Sequence, residues 1–175
     1  MSGELRVNGR DANFYRFVRN DPVNFVDPRG FWAIDKNFPS DCLPSLQRAL
    51  NIVRSIAGKD PHCNCLFTRI GDHRPLSELV DDPRIAVHYD PVQDYSKEEG
   101  ITIAYTNPGD KQNIFVNPYG CLMGRWTLAS ALIHELTHVT LNPAPGQEEE
   151  AQLMEENCGF RKRVLTQPIT VTAHP

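Results

Sequence analysis

The chain has 175 residues, of which 40% are hydrophobic, and its formal net charge is -4 at pH 7. This length suits one domain with a modest core and a short appendage. The acidic balance argues against a general binder of phosphate backbones, and no apolar run approaches the roughly 18 residues of a membrane helix, so we expect neither a nucleic-acid partner nor a membrane span.

The first predicted element is a β-hairpin near the amino terminus. Residues 13–18 alternate polar side chains with aromatic or apolar ones, which predicts a strand, and residues 24–26 resume that pattern after a turn. A second turn follows at residues 27–30, Asp-Pro-Arg-Gly. Because one short hairpin cannot bury its aromatic side chains alone, we expect residues 1–31 to be the last piece of a larger β-structure.

The elements after residue 31 predict a separate domain over residues 32–175. Residues 62–91 are rich in turn formers and are not assigned. The elements predicted in chain order are a helix over 44–57 with Gly58 as its C-cap, strands over 101–105 and 113–116 around a turn, a helix from its N-cap Thr127 to about Thr140, and a helix over 147–158. This order predicts an α+β fold with a short sheet or hairpin before two helices.

The cysteines are odd in number, so at least one stays unpaired within a monomer: Cys42, Cys63, Cys65, Cys121 and Cys158. They could form one or two disulfides in an oxidising compartment, and free buried thiols are an equally open alternative. The cluster at residues 62–65, His-Cys-Asn-Cys, lacks the usual metal-ligand spacing and a second cysteine pair, so it does not predict a metal site.

The chemistry that the sequence predicts lies in His134-Glu135-Leu136-Thr137-His138. Two histidines four residues apart lie on one face of a helix, so both imidazoles can reach one metal ion, which we expect to be Zn2+. Glu135 would then lie beside the attacking water, where it accepts a proton and later returns it to the leaving amine. The apolar residues on either side predict that the motif lies on a packed helix.

A catalytic zinc needs a third protein ligand and one open position. A third histidine six residues after His138 would stand at position 144, which Ala144 occupies. The remaining candidates begin the next helix, where Glu148 and Glu150 flank the expected buried stripe and Glu149 lies on the far side. We expect that stripe to consist of Ala151, Leu153, Met154 and Cys158. Periodicity alone leaves both Glu148 and Glu150 open.

The motif resembles that of the gluzincins, His-Glu-x-x-His peptidases whose third zinc ligand is a glutamate. In that family a small residue often stands three positions after this glutamate, and Ala151 stands three positions after Glu148. The resemblance therefore favours Glu148 as the third ligand, with Glu150 second. The spacing between His138 and Glu148 is shorter than gluzincins usually have, and in this respect the chain looks more like small bacterial effector metallopeptidases.

Groups that would stabilise the developing oxyanion are harder to predict. Five side chains offer a suitable donor: His73, His88, Tyr105, Tyr119 and Arg125. The predicted strands could also hold an extended peptide by edge pairing. We further expect a hydrogen-bond acceptor for the ligand imidazoles, which the sequence does not identify.

Two N-terminal motifs resemble the end of the core domain of Rhs (YD-repeat) proteins: Asn-x-Tyr-x-Phe-x-x-Asn-x-Pro at residues 13–22 and Asp-Pro-x-Gly at residues 27–30. In that family the core is a β-shell that encloses a variable C-terminal toxin, and Asp-Pro-x-Gly belongs to an aspartate-dependent self-cleavage site. The resemblance implies that Asp27 takes part in release and that the chain is cut near Phe31-Trp32. Phe31 stands where leucine is typical of the family.

An Rhs-type boundary followed by a His-Glu-x-x-His domain resembles a polymorphic toxin, exported inside its carrier shell by a contact-dependent machine such as the type VI secretion system. The resemblance implies a secreted protein that is delivered into a target cell, and a cognate immunity protein in the producing bacterium. We predict a zinc-dependent peptidase effector with a small zincin-like fold, acting on a peptide or protein substrate. Two alternatives stay open: a zinc amidase or deformylase-like hydrolase of a non-protein amide, and a non-catalytic zinc-stabilised binding domain.

Overall fold

The computed structural model describes residues 32–91, 102–141 and 147–160. Within these ranges the chain has a mixed α+β fold of six helices and one small four-stranded sheet. The elements are β1 (Ala33–Ile34), α1 (Leu43–Lys59), α2 (Pro61–Phe67), α3 (Leu76–Leu79), β2 (Ala86–Tyr89), β3 (Ala104–Tyr105), β4 (Asn113–Val116), α4 (Pro118–Leu122), α5 (Arg125–Thr140) and α6 (Glu148–Asn157). None of these helices is both long and apolar enough to cross a membrane.

The sheet has the strand order β1-β2-β4-β3. β1, β2 and β4 are parallel, whereas β3 lies at an edge and is antiparallel to β4. β3 and β4 form the predicted hairpin; β4 has the expected bounds, but β3 covers only Ala104 and Tyr105 of the strand predicted over 101–105. Val87, Ile114 and Val116 are fully buried, and the helix that packs against β3 and β4 is α5.

α1 confirms the helix predicted over residues 44–57, but it continues to Lys59, so the prediction of Gly58 as its C-cap is wrong. Asp60 ends α1 and begins α2, because its carboxylate accepts hydrogen bonds from the backbone N–H groups of His62 and Cys63 at 2.9 and 3.0 Å. This N-cap stabilises a helix in a segment that the sequence left unassigned.

α5 is the central helix, and it packs against α1, α6 and the β3–β4 hairpin. It confirms the predicted helix that carries the His-Glu-x-x-His motif, but it begins at Arg125 and contains Thr127, so the predicted N-cap at Thr127 is wrong. Gly124 precedes the helix with a φ of +85°, a conformation that glycine adopts without steric cost. The apolar residues of α5 that are buried in the core are Leu128, Ala129, Leu132, Ile133, Leu136 and Val139.

α6 confirms the second predicted helix, with Gln147 and Cys158 as its flanking residues. Ala151 and Met154 are buried as expected, but Leu153 is 58% exposed, so its assignment to the buried stripe is wrong. α6 is therefore buried along a narrower face than the sequence indicates, and that face contacts α5.

Two disulfides connect helices that are distant in the sequence. Cys42, at the start of α1, is bonded to Cys121 of α4, and Cys63 of α2 is bonded to Cys158 at the end of α6. Cys65 has a free, exposed thiol. Four of the cysteines therefore form disulfides and are not free buried thiols. The two disulfides fit an oxidising compartment such as the extracellular space.

Asp82 orders the connection between α3 and β2. Its buried carboxylate forms salt bridges with Arg74 and Arg84 and also accepts the backbone N–H of Arg84 at 3.0 Å. The hydrogen bonds from Arg84 and Arg74 outweigh the effect of burial and hold the pKa of Asp82 well below its usual range. The side chain is therefore a charged anchor that holds both arginines.

Candidate metal centre

The two motif histidines lie side by side on α5. His134 and His138 are four residues apart, and their Nε2 atoms are 3.2 Å from each other. Their side chains are 17% and 20% exposed, because they face a cleft while the apolar side chains of α5 enter the core. The pair thus presents two nitrogen donors to the same point in the cleft.

α6 brings a carboxylate to that point. Glu148 has its Oε2 atom 3.1 Å from Nε2 of His134 and its Oε1 atom 3.3 Å from Nε2 of His138. Among the described residues, these three side chains are the group of histidine, cysteine and acidic side chains that could hold a metal ion. Glu150 is exposed and does not belong to that group. Of the two carboxylates that the sequence left open, the fold therefore brings Glu148 to the histidines.

The two histidine nitrogens are close to the separation that a tetrahedral ion requires. For zinc bonds of about 2.0–2.1 Å at tetrahedral angles, two donor atoms should lie about 3.3–3.4 Å apart. The Nε2 atoms of His134 and His138 are 3.2 Å apart, and they lie 3.1 and 3.3 Å from different oxygens of Glu148. Two imidazoles and one carboxylate are also a donor set that zinc prefers, and three protein ligands leave one position open.

Glu155 lies two helical turns after Glu148 on α6 and contacts the other nitrogen of His134. Its Oε2 atom lies 3.4 Å from Nδ1 of His134, and its Oε1 atom accepts a hydrogen bond from Ser130. A carboxylate at Nδ1 favours a proton there, which leaves the lone pair of Nε2 free to bind an ion in the cleft. No local sequence pattern identifies Glu155, although the seven-residue spacing between Glu148 and Glu155 puts both on one helix face.

The pKa values of the three groups reflect these contacts. Burial would lower the pKa of His134, but the hydrogen bond to Glu155 and the surrounding carboxylates outweigh it and raise the pKa. Burial and then the charge of His134 lower the pKa of His138. Burial would raise the pKa of Glu155, but its hydrogen bonds with His134 and Ser130 lower it. Glu155 is therefore a stable anion beside His134, and His138 favours the neutral form that binds metals.

Glu135 is the buried acid of the site. It is 6% exposed and lines the same cleft as the histidines, next to Thr106. Burial is the main cause that raises its pKa to about 7. A carboxyl group whose pKa lies near neutrality can both accept and return a proton, which is what a general base and acid must do.

The cleft has a volume of about 820 Å³ and lies between β3, α5 and α6. Tyr105 lines it, but its hydroxyl donates a hydrogen bond to Asp90 at 2.7 Å, and burial and that contact raise its pKa to about 12. His88 lies outside the cleft, with hydrogen bonds to Asp35 and Asn113. The other three proposed oxyanion donors do not line the cleft either: His73, Tyr119 and Arg125.

Two other sites in the sequence are the cluster at residues 62–65 and the proposed self-cleavage boundary. In the cluster at residues 62–65, Cys63 is bonded to Cys158, so its sulfur is not free to bind a metal. The proposed self-cleavage boundary, Asp27 and Phe31, lies outside the described residues.

Comparisons of the chain with protein-family models, with curated proteins and with solved structures found no match. The chemical capacity of the centre therefore follows from its own residues. Two imidazoles and a carboxylate can bind a divalent ion, and the adjacent buried carboxyl can transfer a proton.

Proposed function

We propose that residues 32–175 form a zincin-like, zinc-dependent peptidase that acts as an effector toxin. The observation that carries the proposal is the convergence of His134, His138 and Glu148, whose closest nitrogen and oxygen atoms are 3.1–3.3 Å apart in each pair, beside the buried carboxyl of Glu135. A metal-binding group alone would not require a buried acid in the same cleft. The combination favours hydrolysis over a purely structural zinc.

Each residue of the site has a defined task in this proposal. His134, His138 and Glu148 would hold the ion, and Glu155 would keep His134 in the tautomer that exposes Nε2. Bound zinc would supply a Lewis acid that polarises the scissile carbonyl and makes water more acidic. Glu135 would take the proton of the attacking water and return it to the leaving nitrogen.

The biological role depends on the N-terminal motifs. The Rhs-like segment at residues 13–30 supports synthesis as part of a carrier shell, with Asp27 acting in release near Phe31. The two disulfides support a destination outside a reducing cytosol. In this proposal the toxin is exported within the carrier, delivered to a target cell and neutralised in the producer by an immunity protein.

The decisive experiment compares the wild-type chain with Glu135→Gln, which removes the proton acceptor and keeps the side chain's size. Both proteins are assayed for bound zinc, for cleavage of a peptide library, and for growth inhibition when expressed in susceptible cells. We expect equal zinc content, with cleavage reduced roughly a hundredfold to ten-thousandfold and toxicity lost in the variant. Glu149→Gln, on the outer side of α6, is the matched control and should behave like the wild type.

Three other outcomes would each overturn a different part of the proposal. Equal toxicity of the wild type and Glu135→Gln would refute hydrolysis as the cause of toxicity. Zinc binding without cleavage of any peptide would indicate a non-catalytic zinc domain. Release of a formyl or other non-peptide acyl group, with peptides left intact, would indicate an amidase.

A further inference from the structure

Trp126 is an exposed aromatic residue at the entrance of the proposed active-site cleft. It lies in the first turn of α5, is 56% exposed, and lines the cleft together with Met123. Leaving so large an apolar side chain in contact with water is unfavourable. Trp126 shares the cleft with the apolar side chains of Ile103, Met123 and Phe160, and apolar patches in grooves commonly mark ligand-binding sites. Leu122 is still more exposed, at 78%, but it does not line the cleft.

The cleft follows α5 from Trp126 to the metal ligands. Trp126, Ser130, His134 and His138 recur every four residues, and all four line the cleft. Eight residues separate Trp126 from His134, which is about 12 Å along the helix axis. The cleft is therefore elongated, with Trp126 at one end and the metal centre at the other.

Residues 103 to 106 line the cleft together with α5. Thr106 lies beside Glu135, where it influences the carboxyl group. The carbonyl of Ile103 accepts the backbone N–H of Asn117, which immediately precedes α4.

The two ends of the cleft differ in chemistry. The acidic side chains that line it, Glu135, Glu148 and Glu155, are all within contact of the histidines or next to them in sequence. Glu155 accepts a hydrogen bond from Ser130, and Phe160, three residues after the end of α6, also lines the cleft. The lining away from the carboxylates is uncharged among the described residues and includes the large apolar side chains of Ile103, Met123, Trp126 and Phe160.

We propose that the end of the cleft at Trp126 is a specificity subsite for a large apolar or aromatic side chain of a peptide substrate. An extended chain advances about 3.3 Å per residue, so a span of about 12 Å puts this side chain about three to four residues from the bond that is cut. Among the described residues, the lining at this end carries no charged side chain, which disfavours acidic or basic side chains there. This inference rests on the proposed peptidase function.

The test uses the two tryptophans of the chain, which have opposite environments. Trp32 is 3% exposed and donates a hydrogen bond to the carbonyl of Leu79, whereas Trp126 is 56% exposed. Zinc-loaded Glu135→Gln protein is titrated with blocked synthetic peptides that carry phenylalanine, leucine, alanine or glutamate at each position in turn. We expect a blue shift of the tryptophan emission with phenylalanine or leucine at one position, and no shift in Trp126→Phe protein whose binding is otherwise retained.

Cleavage by the wild type is measured on the same peptides. We expect Trp126→Ala to lose roughly tenfold to a hundredfold in kcat/KM for the peptides with the apolar residue, through KM, while alanine peptides and zinc content are unaffected. Trp126→Phe should restore most of the preference, and Leu122→Ala should match the wild type. Cleavage without any apolar preference would overturn the subsite and leave the peptidase standing. If no peptide is cleaved but the emission shift occurs, the apolar binding site is supported and the proposed peptidase function is refuted. If neither cleavage nor the emission shift occurs, the subsite is refuted.

Discussion

Replacing Glu148 by alanine should weaken zinc binding far more than replacing Glu150 by alanine. Both changes remove one carboxylate from the first turn of α6, so they alter the net charge and the interaction with the helix dipole equally. They differ in that only the carboxylate of Glu148 is within 3.1–3.3 Å of both histidines. The pair of variants therefore isolates metal coordination from general electrostatics.

The size of the effect follows from the ligand set. Structural zinc sites with four protein ligands bind with about 10–16 kcal/mol, or on the order of 2.5–4 kcal/mol per ligand. Loss of Glu148 should thus weaken the affinity roughly a hundredfold to a thousandfold. Its side chain is 70% exposed, so water can replace the lost carboxylate easily, and we expect the lower end of that range. Glu150→Ala should change the affinity less than about threefold, because its charge is screened by solvent.

The affinity is measured by competition with a chromogenic zinc chelator, and circular dichroism verifies that each variant is folded. A larger loss in Glu150→Ala than in Glu148→Ala would show that the third ligand was assigned to the wrong carboxylate. Equal, small losses in both would show that the histidines bind the ion without help from α6.

Three further outcomes are expected. Glu155→Gln should weaken zinc binding roughly tenfold to a hundredfold in the same chelator assay, because His134 loses the group that orients it; an unchanged affinity would refute that role. Cys158→Ser should lower the free energy of unfolding in urea by about 2–5 kcal/mol, since its bond to Cys63 closes a span of 95 residues; a loss under about 1 kcal/mol would contradict this. Asp82→Asn should cost about 1–3 kcal/mol at pH 7. Folding lowers the pKa of Asp82, so its stabilising effect is complete above the pKa of the unfolded chain, about 4, and decreases as the pH falls below that value. If the wild type and Asp82→Asn differed in unfolding free energy as much at about pH 3 as at pH 7, the charge of Asp82 would not be the cause.

Local patterns in the sequence predicted the parts of the site that lie on one helix. The four-residue spacing of His134 and His138 fixes their common face on any helix, and the apolar neighbours identify the face that packs. The exact start of α5 was not predictable in this way. A threonine is a common N-cap, but Gly124 allows the backbone to turn earlier, so Thr127 lies inside the helix.

Features that depend on distant residues were not predictable. Periodicity put Leu153 in the buried stripe, whereas only one narrow face of α6 meets α5, so Leu153 is exposed. The parallel pairing of β1 and β2 joins residues 33–34 to 86–87, for which no local pattern exists. Glu155 could be identified as a partner of His134 only after the two helices were known to pack together.

The two disulfides have a consequence for survival in a protease-rich environment. Cys42–Cys121 and Cys63–Cys158 span overlapping stretches of the chain. A single nick anywhere between residues 42 and 158 therefore leaves the two fragments covalently joined. This includes a nick between His138 and Glu148, after which α6 would still be tethered to α2 by Cys158. The metal ligands would stay at high effective concentration in the nicked chain, so one backbone break need not inactivate the protein.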